Sequence, residues 1–215
     1  MNRQPDFDRV ARIYRWAEYL TLGPLLQRTR THFLPQLTAC RRALVLGDGD
    51  GRFLEQLLVQ NDALQAVAVD TSAVMLRLLT QRCHRKKDSQ ARLRTWQGSA
   101  LAITPAQDVD LVVTHFFLDC LTQAEVDRLT QRIGAAVQPG TLWVVSDFGM
   151  PQTRWLRTFA ALYVRGLYLA FRILTGLRVT RLPDAQQALA AAGFTRRLRH
   201  QVAGGLLYSE LWERL

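Results

Sequence analysis

Ala43-Leu44-Val45-Leu46 runs straight into Gly47-Asp48-Gly49-Asp50-Gly51, and one helical stretch later comes Ala66-Val67-Ala68-Val69-Asp70. An apolar strand, a glycine-spaced turn, a helix and a second strand ending in an acid make the start of a parallel sheet. That order suits a nucleoside cofactor. Glycines let the chain turn sharply and let the backbone approach a ligand with no Cβ in the way. A carboxylate about 20 residues further on can accept hydrogen bonds from both ribose hydroxyls. A dinucleotide fingerprint requires a glycine three places after Gly49, but Arg52 stands there. The spacing is therefore G-x-G-x-G, which sets back a dehydrogenase.

These residues resemble the class I S-adenosylmethionine (SAM)-dependent methyltransferases, with the ubiquinone/menaquinone-biosynthesis type the most similar group. The resemblance covers roughly residues 7 to 213. Gly47, Gly49 and Gly51 match motif I of that family, and Asp70 matches its ribose-binding acid. Thr71-Ser72-Ala73-Val74-Met75-Leu76 matches the D-x-S-x-x-M-L segment beside the adenine. The resemblance implies a Rossmann-like α/β fold with a seven-stranded, mostly parallel sheet, a terminal antiparallel hairpin and helices on both faces. It implies SAM as cofactor, S-adenosylhomocysteine as product and methyl transfer as the activity.

The pattern of the whole chain agrees. Strands are expected near 42–47, 65–70, 92–97, 109–115 and 141–148, with helices near 51–61, 72–86 and 122–137. Such alternation makes a parallel sheet covered on both faces. Asp184 is placed to cap a helix through Ala192, closed by Gly193. Phe194–Gln201 and Leu206–Trp212 flank Val202-Ala203-Gly204-Gly205, a hairpin signal. The expected organisation is one domain over 1–215. It has an N-terminal helical cap (1–39), a SAM-binding core (40–150), a helical insertion or lid (151–182), and a terminal helix and hairpin (183–215).

Composition sets the outer bounds. With 48% hydrophobic and 21% charged residues, the chain fits a globular domain. Its N-terminus lacks the apolar stretch of a signal peptide. Cys40, Cys83 and Cys120 are isolated and form no C-x-x-C pair, so neither a disulfide framework nor a zinc site is expected. A reducing cytoplasm is the natural compartment. The 28 basic and 18 acidic residues leave a net charge of +10. That bias can steer a protein to phosphate, anionic lipid or an acidic substrate, or it can be a solvated surface.

Two segments bear on the acceptor. Phe7-Asp8-Arg9-Val10-Ala11-Arg12-Ile13-Tyr14 resembles the F-D-x-x-A-x-x-Y opening of the quinone-type enzymes, whose helical cap covers the cofactor. Tyr14 is then a pocket residue, or simply part of an amphipathic helix. In 151–177, Arg154, Arg157, Arg165 and Arg172 share an arc of roughly 80° on a helical projection, with aromatic and aliphatic residues elsewhere. This is an interfacial helix in peripheral contact with an anionic membrane, or a lid packed on its own domain. It is too charged to span a bilayer.

Methyl transfer from a sulfonium needs donor and acceptor held in line with water excluded. A base is needed only where the acceptor loses a proton. No triad is required, and none is visible. By resemblance, Gly47, Asp48, Gly49, Asp50, Gly51, Asp70, Thr71, Met75, Ser99 and Ala100 are the expected cofactor residues. Thr114 and His115 join them where the fourth strand leaves the sheet. The family's acid two residues before the first glycine is Val45 here, and Asp48 or Asp50 is the candidate replacement near the methionine ammonium. Ser99 stands where an acid often meets the adenine amino group. Met75 either packs on the adenine or belongs to the helix core.

His115 is the candidate base or substrate anchor, or else a histidine hydrogen-bonded to backbone or cofactor. Phe116 and Phe117 point to an apolar acceptor. Asp147, at the end of the fifth strand, either orients an acceptor hydroxyl, binds His115 or caps a helix. Asp119 is placed to cap the next helix, and Cys120 is read as structural. The expected function is thus methyl transfer to a small, apolar or lipid-like acceptor. An RNA methyltransferase is the second reading, prompted by charge, but no N/D-P-P-Y/F tetrad, Pro-Cys pair or RNA-binding module supports nucleic acid as a partner. A non-catalytic SAM-binding protein is the third, prompted by Val45 and Ser99.

Overall fold

The computed structural model describes residues 23–85, 87–149 and 182–215. Tyr14 and the 151–177 segment lie outside them.

Five runs form parallel strands: β1 (Arg42–Leu46), β2 (Gln65–Asp70), β3 (Leu93–Gln97), β4 (Leu111–His115) and β5 (Leu142–Phe148). β6 (Phe194–Val202) and β7 (Leu207–Arg214) close the sheet as an antiparallel hairpin, with β7 against β5. The order is β3-β2-β1-β4-β5-β7-β6. This is the expected seven-stranded, Rossmann-like sheet with its terminal hairpin. Central strands such as Ala43–Leu46 and Leu111–His115 are buried at every position, because helices cover both sides.

One face carries α1 (Gly23–Thr31), α2 (Arg52–Gln60) and α3 (Ala73–Cys83). There Phe53, Leu54, Leu57 and Leu79 pack with Val45 and Val113 of the sheet. The opposite face carries α4 (Gln123–Ala136) and α5 (Ala185–Ala191), where Val126, Leu129, Ile133 and Leu189 pack with Leu44, Val112 and Trp143. The helix starts follow local chemistry. Ser72 Oγ accepts from Met75 N (3.1 Å), and Asp184 Oδ1 accepts from Gln187 N (2.9 Å). Thr122 begins α4 and its amide donates to Glu125 (2.9 Å). Gly23-Pro24 forms the first turn of α1. Proline suits a first turn, where its missing N–H would have no partner anyway.

The strand order reverses between β1 and β4. Connections from β1 and β4 therefore leave on opposite faces and open a crevice beyond their carboxyl ends. No helix among the described residues is long and apolar enough to cross a membrane.

Candidate cofactor and acceptor site

The crevice is built first from the glycine loop. Gly47, Gly49 and Gly51 all have positive φ (67°, 61° and 80°), the left-handed region that disfavours side chains. The space around them differs. A Cβ on Gly51 would lie 2.9 Å from the Cα of Leu79, so this glycine lets α3 approach the loop. A Cβ on Gly47 would lie 2.4 Å from the Phe117 ring. A Cβ on Gly49 would meet nothing within 4 Å among the described residues. Gly49 is thus the loop residue whose backbone fronts open space.

The loop acids hold the loop's own shape. Asp48 is buried, and its Oδ2 accepts from Leu54 N (3.0 Å) at the start of α2. It supplies the cap that the side-chain-free Gly51 cannot. Asp50 pairs with Arg82 of α3 (2.8 Å) and Arg52 (3.2 Å), while Arg82 Nε also donates to the Asp50 carbonyl (2.8 Å). Both candidate replacements for an acid at position 45 are therefore engaged in the loop. Val45 itself is 1% exposed in the core beneath α2, where an isolated carboxylate would be costly.

Across the loop, Asp70 ends β2 half-buried. Its Oδ1 accepts from Ser72 N (2.8 Å), which fixes the carboxylate at the strand end. Thr71 follows, half-buried, and its carbonyl accepts from Gln97 Nε2 (3.4 Å). Met75 is buried in the first turn of α3. The strand-end spacing continues into β3, where Gly98 N donates to the Asp70 carbonyl (2.9 Å). Ser99 Oγ then accepts from Leu101 N (3.3 Å), and Ala100 is buried beside it. Gly47, Asp70, Thr71 and Ser99 are thereby gathered at the carboxyl ends of β1, β2 and β3.

The β4 exit is different in character. Thr114 Oγ1 accepts from the indole of Trp143 (3.0 Å), so its hydroxyl serves the α4-side core; a buried indole N–H needs an acceptor. His115 is 2% exposed and turned to the α2 side, edge-on to Phe53 with centroids 4.3 Å apart. Neither ring nitrogen has a hydrogen-bond partner among the described residues. Burial, and then the charge of Arg30, hold its pKa well below the ordinary value, so the ring is neutral. Asp147 lies on the opposite sheet face from its neighbour Ser146, which is in register with His115, because successive residues of a strand alternate. Asp147 and His115 therefore do not meet.

Asp147 meets Asp119 instead. Its Oδ2 accepts from Asp119 N (3.1 Å) and its Oδ1 from Phe148 N (2.9 Å). The reading of Asp119 as the cap of α4 is corrected: Thr122 begins that helix, and Asp119 sits in a 3-10 turn three residues earlier. Burial raises both carboxyl pKa values, Asp119 to about 6, and the Asp119 charge raises Asp147 further. Cys120 is pushed up by burial and by the same two carboxylates, so it is no thiolate nucleophile at neutral pH.

A G-x-G-x-G loop opening on the β1/β4 crevice, with a fixed acid at the end of β2, is what the sequence led us to expect. Residues 44–142 match a methyltransferase domain model. No curated protein matches it by sequence. Solved structures share its fold. An O-methyltransferase family 2 protein from Planctomyces limnophilus, solved with apigenin, superposes with a TM-score of 0.69 at 17% identity, over 97% of this chain and 62% of that one. The SAM-dependent methyltransferase SibL gives 0.68 at 20%, over 100% and 63%. N,N-8-amino-8-demethyl-D-riboflavin dimethyltransferase from Streptomyces davawensis gives 0.67 at 21%, over 100% and 63%. The chain thus spans less than two thirds of the length of these proteins.

SAM is the cofactor that the domain match implies, and the residues present fit it. The open side of Gly49 leaves room for a ligand against the backbone, and Asp70 is oriented by Ser72 at the ribose position. Several contacts escaped sequence reading. Arg82 locks the loop from 32 positions away. Glu210 is fully buried, bound to Arg196 (2.9 Å), Arg199 (3.2 Å) and the Trp212 indole (3.0 Å). Ser146 and Ser209 share a 2.9 Å hydrogen bond beneath α1. The signal for Glu210 was an acid inside an apolar strand run, a pattern that calls for cationic partners.

Proposed function

We propose that this protein is a methyltransferase that transfers the methyl group of SAM to a small, apolar acceptor bound beyond β4 and β5. The single observation that carries the reading is the crevice: a loop with open space at Gly49 facing Asp70 across the carboxyl ends of β1 and β2. SAM supplies an electrophilic methyl already activated by its sulfonium charge. Backbone groups of Gly47 to Gly51 hold its methionine end, Asp70 its ribose, and Thr71, Met75, Ser99 and Ala100 its adenine.

The protein's remaining task is to place the acceptor and exclude water. Phe116, Phe148 and Leu207 make the wall near the β4 exit apolar. His115 is the group that takes or anchors an acceptor proton: it is neutral, buried and has acceptor capacity unused among the described residues. Solved neighbours with apigenin and with a riboflavin-derived substrate name support small aromatic acceptors with an ionisable oxygen or nitrogen. A cytoplasmic setting, with peripheral membrane contact through 151–177 and a pocket role for Tyr14, rests on sequence alone. Sedimentation with anionic and neutral vesicles tests the former.

Calorimetric titration with SAM, S-adenosylhomocysteine and NAD tests the central reading. Micromolar binding of the first two without NAD is expected. Failure of both to bind would overturn it.

A further inference from the structure

The β4 exit contains the second observation that bears on the donor. Phe116 adopts φ +52°, a left-handed conformation that a bulky residue rarely takes. Strain of this kind persists only where surroundings enforce it, and it gathers at functional sites. Here the enforcement is visible. Phe116 N donates to the Ser146 carbonyl (2.7 Å). The Arg30 guanidinium lies 5.0 Å from the centre of the Phe116 ring, and the Phe148 ring lies 5.3 Å away. The turn sends the two phenylalanines to different places. Phe116 packs with Leu26 and Leu207 beneath α1, whereas Phe117 packs toward the α4-side core.

Phe117 comes to rest on the first glycine of the loop. Its ring fills the place a side chain on Gly47 would need, with ring atoms 2.4 to 3.2 Å from that position. The missing Cβ of Gly47 therefore makes room for an aromatic ring. That ring is half-buried, and it lies on the loop that leaves β1, next to β4, where the strand order reverses. Its neighbour already holds a cation; Phe117 has none among the described residues. The face of an aromatic ring attracts a cation, and a desolvated site strengthens the attraction.

We propose that Phe117 is a specificity-determining residue of the donor pocket, an aromatic wall at the glycine loop that favours the sulfonium of SAM over the neutral thioether of S-adenosylhomocysteine. This rests on the SAM reading of the crevice. It adds a route for product release: once the methyl group leaves, the positive charge is gone and the ring loses its hold. The Phe116 turn is the positioning device, because it delivers the Phe117 ring to Gly47.

The test is calorimetry of SAM and S-adenosylhomocysteine with the wild-type chain, Phe117→Leu and Phe117→Tyr, with thermal unfolding as a check on folding. Leucine keeps apolar bulk and removes the π face. The expected result is SAM affinity lowered roughly three- to tenfold in Phe117→Leu, with S-adenosylhomocysteine affinity changed by less than about twofold. Phe117→Tyr keeps the wild-type ratio. Should the leucine variant not fold, Phe117→Met replaces it as a flexible apolar filler. Equal weakening of both ligands would reduce Phe117 to packing and overturn the proposal, as would no change in either. A wild-type chain that binds neither ligand would overturn the SAM reading itself, a result separable from failure of the Phe117 arm alone.

Discussion

The two halves of the crevice are built on opposite principles. On the β1–β2–β3 side, polar groups are engaged within the protein: Asp48 with Leu54 N, Asp50 with Arg82, Asp70 with Ser72 N, and Ser99 with Leu101 N. On the β4–β5 side, His115 is buried with no partner among the described residues, two carboxyl groups face one another, and a phenylalanine sits at positive φ. The first half is organised before any ligand arrives, which limits the ordering cost of binding. The second holds strain and unused polar capacity, as expected where a reacting group must be placed. A shared donor needs a fixed cradle, and a particular acceptor needs a site that its own binding completes.

The donor half should break most sharply at two residues. Asp70→Ala should cost about 3 kcal/mol of SAM binding, since hydrogen bonds to a charged group contribute roughly 1.5–3 kcal/mol each. Calorimetry checks it, and unchanged affinity would remove Asp70 from the site. Gly51→Ala should instead damage the fold. Its φ of +80° and a 2.9 Å approach to the Leu79 backbone predict about 2–4 kcal/mol of destabilisation in urea unfolding. Gly49→Ala, with open space around it, should unfold much nearer wild type yet lose SAM affinity. If the two alanine variants were equally unstable, the division between structural and ligand-facing glycines would be wrong.

That division also marks what sequence could show. The parallel order, the hairpin, the Asp184 cap and the acid at Asp70 follow from periodicity, turn chemistry and spacing within short windows. What Gly47 makes room for could not be read so, because Phe117 lies 70 positions away and meets it only through the β1–β4 pairing. The same holds for Arg82 at Asp50 and for Asp119 against Asp147. Asp119 was legible as a helix-start residue, and only the intervening 3-10 turn moved that role to Thr122. Local rules find elements; register decides which side chains meet.

The acceptor half predicts an inverted pH dependence. Asp119 and Asp147 both have folded pKa values raised above the ordinary 3.8. A raised acid contributes stability that is full below its unfolded pKa and is lost as pH rises through its folded pKa. For Asp119 that loss runs from about pH 4 through about 6 and above. Asp119→Asn keeps a neutral group against Asp147 at every pH. It should match wild type near about pH 4 and exceed it by roughly 1–3 kcal/mol near about pH 8. Denaturant midpoints at the two pH values check this. Parallel curves would mean that the carboxyl pair is ionised in the fold.

The smallest effect is expected at His115, and its sign is the informative part. A buried polar ring with no hydrogen-bond partner costs stability, and replacing such a group with an apolar one can be neutral or favourable. His115→Leu should leave the cofactor-free protein equal to or about 1 kcal/mol more stable than wild type in thermal or urea unfolding. SAM affinity should stay near wild type, because the donor half holds its ligand through other residues. Once an acceptor is found, turnover should fall with KM and kcat separable. A gain in stability with a loss of turnover is the signature of a group kept for chemistry at the fold's expense. A large loss of stability would instead make His115 a packing residue against Phe53, and the proton-accepting role would pass to a group outside the β4 exit.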